Sequence, residues 1–135
     1  MSDELVQKVD ELLTIARALR PQVRRVGVQH GEAIKLLPTD LVVYATMNDE
    51  GNRLRIFTRD GQEHFNFSTV AELDDLLSDD PRFVRVHKSF LVNLEYVTEI
   101  QTVAGGRELR FEVLPSVSIK VAQSSVKAVE DYFGL

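Results

Sequence analysis

The chain has no cysteine, so disulfides, thiolate metal ligands and a cysteine nucleophile are all excluded. Histidine is scarce as well: His30, His64 and His87 lie on turn and strand positions without the spacing that gathers a metal ion. No phosphate-binding glycine loop occurs, because Ala104-Gly105-Gly106 reads as a hairpin turn, and nothing resembles the nucleophile elbow of a hydrolase. No apolar run approaches the ~20 residues that cross a bilayer, and the opening stretch MSDELVQKVD is acidic and carries no hydrophobic secretory segment. The expectation is a cytoplasmic protein that catalyses nothing, with no cofactor, no bound metal and no membrane partner. An excess of positive charge is missing too: Lys and Arg number 16 against 21 Asp and Glu, a formal net charge of -5. That balance weighs against a phosphate-rich partner unless the basic residues share one face.

Along the sequence the charges are clustered. Arg53, Arg55 and Arg59 fall in one short stretch, Arg82, Arg85, His87 and Lys88 in another, while Glu72, Asp74, Asp75, Asp79 and Asp80 gather between them. The 135 residues, 44% hydrophobic and 27% charged, suffice for one core plus one accessory element. Two regions follow: an amphipathic helix in residues 1–22 and a single domain over 23–135.

The helix is predicted over residues 3–20, with Ser2 as N-cap, Asp3 and Glu4 in the first turn, Arg17 and Arg20 in the last, and Pro21 as its stop. Leu5, Val9, Leu12, Ala16 and Leu19 recur at alternating steps of four and three, a heptad seam of about two repeats. Val6, Leu13 and Ile15 widen that stripe. Two heptads are too few for a stable isolated coiled coil. The seam therefore serves either a second copy of the chain or the helix's own domain, and the residues leave both open.

From residue 23 the period changes to that of short strands divided by turn signals. Strands are expected at 23–29, 33–37, 41–47, 53–58, 62–67, 83–86, 96–102, 108–113 and 117–121, with residues 87–93 as an intervening segment. Asp60-Gly61 marks a tight hairpin. A short helix over 69–77 follows Ser68, with Val70, Leu73, Leu76 and Leu77 on its apolar face, and a terminal helix over 123–133 buries Val126, Val129, Tyr132 and Phe133. These short strands with only two small helices among them exclude a doubly wound α/β fold.

The stretch from Asp80 to Ile100, DPRFVRVHKSFLVNLEYVTEI, resembles the signature of LytTR DNA-binding domains. In that family a short helix ends at an acidic or Pro-containing turn, and a strand then delivers an Arg-x-His-Arg/Lys-Ser-Phe-x-Val-Asn block. The order of Thr39-Asp40, Asp60-Gly61 and the helix around Leu73 agrees over residues 23–133. The resemblance implies a mainly β, elongated antiparallel architecture with a short inserted helix and a C-terminal helix, preceded here by the N-terminal helix. It also implies a bacterial transcription regulator that reads double-stranded DNA through loops placed in the major groove.

The contact residues it implies are Arg85, His87 and Lys88 in the signature block, Asn52 and Arg53 in the turn before the fourth strand, and Gln123 and Ser124 at the start of the terminal helix, with Lys120 beside them as a charge that could compensate for what that last segment lacks. Their chemistry suits base and phosphate recognition, since Asn and Gln pair with adenine, Arg and Lys with guanine or phosphate, and His with a base edge. Other readings remain for each group. Arg85 could pair with an acid such as Asp80, His87 could be a satisfied loop residue, and residues 52–53 a solvated turn. Where the family usually carries Val-Ser-Arg-Arg/Lys, this chain has Val121-Ala122-Gln123-Ser124, so a basic pair is missing. That departure and the acidic balance suit a second reading, a LytTR-like protein-interaction or dimerisation module that no longer reads DNA. Many family members carry a phosphorylatable receiver domain ahead of this one. With none in this sequence, control is expected to fall to the N-terminal helix acting in a homodimer, to a partner or to abundance.

Overall fold

β-branched and aromatic residues dominate the runs between turns, and glycines stand where the backbone must reverse with positive φ, as at Gly61 (82°) and Gly105 (87°). The computed structural model describes residues 3–19 and 24–135, with side chains of the first segment described for residues 4–12. The first element is the helix α1 (Asp3–Leu19). Ten strands follow: β1 (Arg25–His30), β2 (Ala33–Pro38), β3 (Val42–Met47), β4 (Leu54–Thr58), β5 (Glu63–Asn66), β6 (Phe83–His87), β7 (Phe90–Asn93), β8 (Glu99–Val103), β9 (Gly106–Arg110) and β10 (Ser118–Val121). Helix α2 (Val70–Leu76) lies between β5 and β6, and α3 (Val126–Tyr132) closes the chain. The fold is thus mainly β, as the sequence predicts.

All described pairings are antiparallel and form three sheets: β1-β2, β5-β4-β3-β7-β6 and β10-β9-β8. The five-stranded sheet is apolar on both faces. One face carries Val42, Ala45, Leu54, Ile56, Phe83 and Leu91 and packs with Val26, Val28 and Leu37 of the β1-β2 hairpin and Val70, Leu73 and Leu77 of the α2 region. The other carries Val43, Tyr44, Val86 and Val92 and packs with Leu109, Ile119, Val121 and Val129 from the three-stranded sheet and α3. Strict alternation would put Val42 and Tyr44 on one face. The register shift between Val42 and Tyr44 breaks it, so that Val43 and Tyr44 both turn to the second core.

Polar ties lock the sheet to its surroundings. Asn93, fully buried, donates from Nδ2 to the Val42 carbonyl (3.0 Å) and accepts the Glu95 amide at Oδ1 (3.0 Å). Arg82 forms a fork: Nη2 to Asp80 Oδ2 (2.8 Å), Nε to Asp80 Oδ1 (3.1 Å) and Nη1 to Asp40 Oδ1 (2.7 Å). Burial alone would raise the Asp80 carboxyl, but the hydrogen bonds and charge of Arg82 outweigh it and hold the group below its ordinary value. Tyr132 donates to Glu95 Oε2 (2.7 Å), and burial together with that acceptor pushes its phenol up to about 12.

Several expectations change. Residues 87–93 do not form an irregular segment, since β7 pairs with both β3 and β6 near the middle of the sheet. Tyr96 lies in a 3-10 turn (Leu94–Tyr96) and the next strand begins at Glu99. Leu76 is 52% exposed, so the buried face of α2 is Val70, Leu73 and the following Leu77. The terminal helix starts as a 3-10 turn (Gln123–Ser125) before α3. In α1 the seam residues Leu5, Val9 and Leu12 are 54%, 48% and 66% exposed, so these three side chains are not buried against the described residues. Ser2, Arg20, Pro21 and the expected strand start at Val23 lie outside the described residues, as do the side chains of Leu13, Ile15, Ala16, Arg17 and Leu19.

The Arg82 fork is largely shielded, with side-chain exposures of 18% for Arg82 and 11% for Asp80. Arg82→Ala should therefore lower the unfolding free energy at pH 7 by about 2 kcal/mol, measured by urea denaturation. Because the folded Asp80 pKa is depressed, its stabilisation is present above the unfolded value of 3.8 and lost as pH falls through the folded value. The stability gap between the parent and Asp80→Asn should close across that acid range. A gap that stays constant would show that Asp80 acts through packing rather than charge.

Candidate nucleic-acid interface

Strand order brings two distant turns to one end of the five-stranded sheet. β3 ends and β4 begins at the pair Met47↔Leu54, while β7 begins at Phe90 opposite Thr46. The β3-β4 turn (residues 48–53) and the β6-β7 turn (residues 88–89) therefore emerge side by side. The start of the terminal helix joins them, because the Ala122 amide donates to the Val86 carbonyl (2.7 Å) and the Ser125 hydroxyl to the Arg85 carbonyl (3.0 Å).

The β6-β7 turn is braced from within. A register shift between Arg85 and His87 bends β6 just before it. The Arg85 guanidinium donates to the Lys88 carbonyl from Nη2 (2.7 Å) and Nε (3.3 Å), and so holds the turn closed. It makes no pair with Asp80, whose carboxylate belongs to Arg82. The Ser89 amide donates to His87 Nδ1 (3.2 Å), so Nδ1 carries the lone pair and the proton of the neutral ring sits on Nε2. Lys88 is exposed and forms no ion pair among the described residues.

The β3-β4 turn is shaped by Asn48, which in the sequence is one of several turn-forming residues. Its Oδ1 accepts the amides of Asn52 (3.0 Å) and Arg53 (3.2 Å), and its Nδ2 donates to Asn52 Oδ1 (2.8 Å). Asn52 keeps its own amide protons and one oxygen lone pair for an outside partner. Arg53 lies over the ring of Phe67, 5.7 Å from its centre, and both are exposed. Arg55, part of the same basic cluster in sequence, points elsewhere: it pairs with Glu63 and covers Phe57.

At the third segment Gln123 is engaged, donating from Nε2 to the Gly105 carbonyl of the β8-β9 turn (2.9 Å). Ser124 is exposed. Lys120, also exposed, stands on β10 opposite Glu108. The structure thus gathers Asn52, Arg53, His87, Lys88 and Ser124 around one end, places Lys120 on the strand leading there, and gives Arg85 and Gln123 internal partners. Asn48, Gly105 and Ser125 were legible in sequence only as turn or helix-start residues. Among the described residues no cluster of His, Asp and Glu could hold a metal ion, and no helix is long and apolar enough to cross a membrane.

Comparison with known proteins gives the family and the fold. The family model described as the LytTr DNA-binding domain matches residues 32–134, and the chain belongs to that family. The family is one of DNA-binding domains and not of enzymes. The chain is similar to the sensory transduction protein LytT of Bacillus subtilis (strain 168), at 30% identity over 77 residues. That match covers 57% of the chain and 30% of the relative, so the chain spans well under half the length of the curated protein it resembles. Among solved structures, a LytTr DNA-binding domain from Bacillus cereus superposes with a TM-score of 0.68 at 19% identity, covering 85% of this chain and 100% of that one. The fold is shared.

Arg85→Ala should cost about 1 kcal/mol of stability and speed hydrogen exchange at the Ser89 amide, whereas Lys88→Ala should leave both unchanged. Native exchange rates at Ser89 in Arg85→Ala would mean that the guanidinium does not hold the turn.

Proposed function

We propose that the chain binds double-stranded DNA sequence-specifically as a transcription regulator in the cytoplasm, with the turns at the end of the five-stranded sheet entering the major groove. The observation that supports this reading is the convergence of residues 52–53, 87–88 and 123–124 on one end of the five-stranded sheet, with the Lys88 ammonium in no ion pair among the described residues. In this reading Lys88 contacts phosphate or guanine, His87 offers Nε2–H to a base acceptor, and Asn52 and Arg53 approach a neighbouring groove segment. Lys120 and Ser124 add phosphate contacts. Arg85 and Gln123 act through the turns they hold. The net charge of -5 does not oppose this arrangement, because association follows the local field of the loop end.

Residues 23–135 form the DNA-binding unit in this proposal, and residues 1–22 join two copies. Exposure of Leu5, Val9 and Leu12 along one helical stripe supports the homodimer over packing of the helix on its own domain. Two linked copies would engage repeated sites, with the second contact made at high effective concentration.

Selection from a random duplex pool, followed by salt titration of the winning sequence, tests the reading. Lys88→Ala should weaken binding across all sequences and reduce the salt slope by about one, while His87→Ala should relax base preference with less effect on slope. Unaltered titrations in both variants would remove the site. Deleting residues 1–20 should leave the fold intact and weaken binding to a two-site duplex more than to a one-site duplex. Equal losses on the two duplexes would rule out the dimer.

A further inference from the structure

At the opposite end of β4 from residues 52–53, a cavity of about 290 Å³ opens between β2 and the β4-β5 turn. Its walls are of two kinds. Leu36, Leu37 and Leu41 supply apolar surface, and Lys35, Arg59 and His64 supply nitrogen donors. None of these three basic residues forms an ion pair among the described residues. The one carboxylate in the wall, Asp60, is already committed: its Oδ1 accepts the Thr58 hydroxyl and the Gln62 amide (3.2 Å). Those bonds, the Thr58 hydroxyl first, hold it below the usual carboxylate range. Partial burial and the nearby Lys35 charge lower His64, whose surroundings also include Asp60 and His30.

The backbone adds a donor. In an antiparallel pair, alternate residues turn both N–H and C=O toward the neighbour. The Thr39 amide bonds to the Arg24 carbonyl (2.8 Å), and the register continues it through Val26↔Leu37 and Val28↔Lys35. Leu36 therefore directs its N–H away from β1, to the open edge that borders the cavity. Pro38, the next residue in phase, has no N–H to offer.

We infer that this cavity binds a small organic monocarboxylate with a short hydrocarbon body. The carboxylate would meet the Lys35 ammonium, the Arg59 guanidinium and the Leu36 N–H, and the hydrocarbon would lie on Leu41 and the exposed Leu36. Charge sets the class: two cations against the Asp60 carboxylate leave one net positive charge, which balances a monoanion and disfavours a phosphate dianion. Size sets it too, since the cavity lies at the small end of the ~300–1,000 Å³ typical of ligand pockets. The inference does not depend on DNA binding.

Hexanoate is the probe. Added to the ¹⁵N-labelled full chain at pH 7, it should shift the amides of Leu36, Arg59 and Gln62 saturably. Acetate should bind at least about tenfold more weakly, because it lacks the methylenes that reach the leucines. 1-Hexanol should give no saturation. Lys35→Ala and Arg59→Ala, both exposed positions that leave the core intact, should each weaken hexanoate about tenfold. The inference is overturned by shifts that do not saturate or that spread over the surface, by a double variant that titrates like the parent, by hexanol matching hexanoate, or by inorganic phosphate binding more tightly than hexanoate at the same amides. DNA affinity measured in parallel separates this outcome from that of the regulator reading.

Discussion

A five-stranded sheet buried on both faces is the constraint from which the rest follows. The two-stranded β1-β2 hairpin has too few strands to be stable alone, and it and β8-β9-β10 each pack on one side of that sheet. The register shift at Val42/Tyr44 is what lets consecutive apolar residues serve both sides. Turns that leave such a sheet inherit its rigidity. The β3-β4 and β6-β7 turns are therefore fixed relative to each other although residues 53 and 87 lie far apart in sequence.

Polar side chains then shape each turn, and they do so with short-range bonds. Asn48 organises one by accepting two amides, and Arg85 organises the other by donating twice to Lys88. Gln123 and Ser125 connect the terminal segment to the β8-β9 turn and to β6. No basic residue stands in Val121-Ala122-Gln123-Ser124, and the Gln123 side chain serves there as a structural link. The charge available for an anionic partner is correspondingly concentrated in the other two turns and in Lys120.

Much of this was legible in the residues. Turn chemistry at Asp60-Gly61 and Gly105, the α2 core positions Val70 and Leu73, and the signature block each gave a local cue that the fold obeys. β7 is not legible in the sequence for a physical reason: Phe90–Asn93 faces a core on each side, so the run lacks the alternation that marks a half-exposed strand. Leu76 looked like a core residue because spacing alone cannot tell which edge of a short helix meets the sheet. The role of Arg85 was hidden as well, because a basic residue in a binding motif reads as a contact whether its partner is a ligand or a backbone carbonyl three residues away. Side-chain direction, which sequence does not carry, separates the two.

The bond from the Ser89 amide to His87 gives the β6-β7 turn a polarity. With Nδ1 already accepting, the imidazole faces outward only with N–H, and the neighbouring ammonium of Lys88 likewise gives protons and takes none. Those two side-chain groups form a one-way surface: lone pairs are welcome there, and an exocyclic amine or another cation finds no acceptor on either of them.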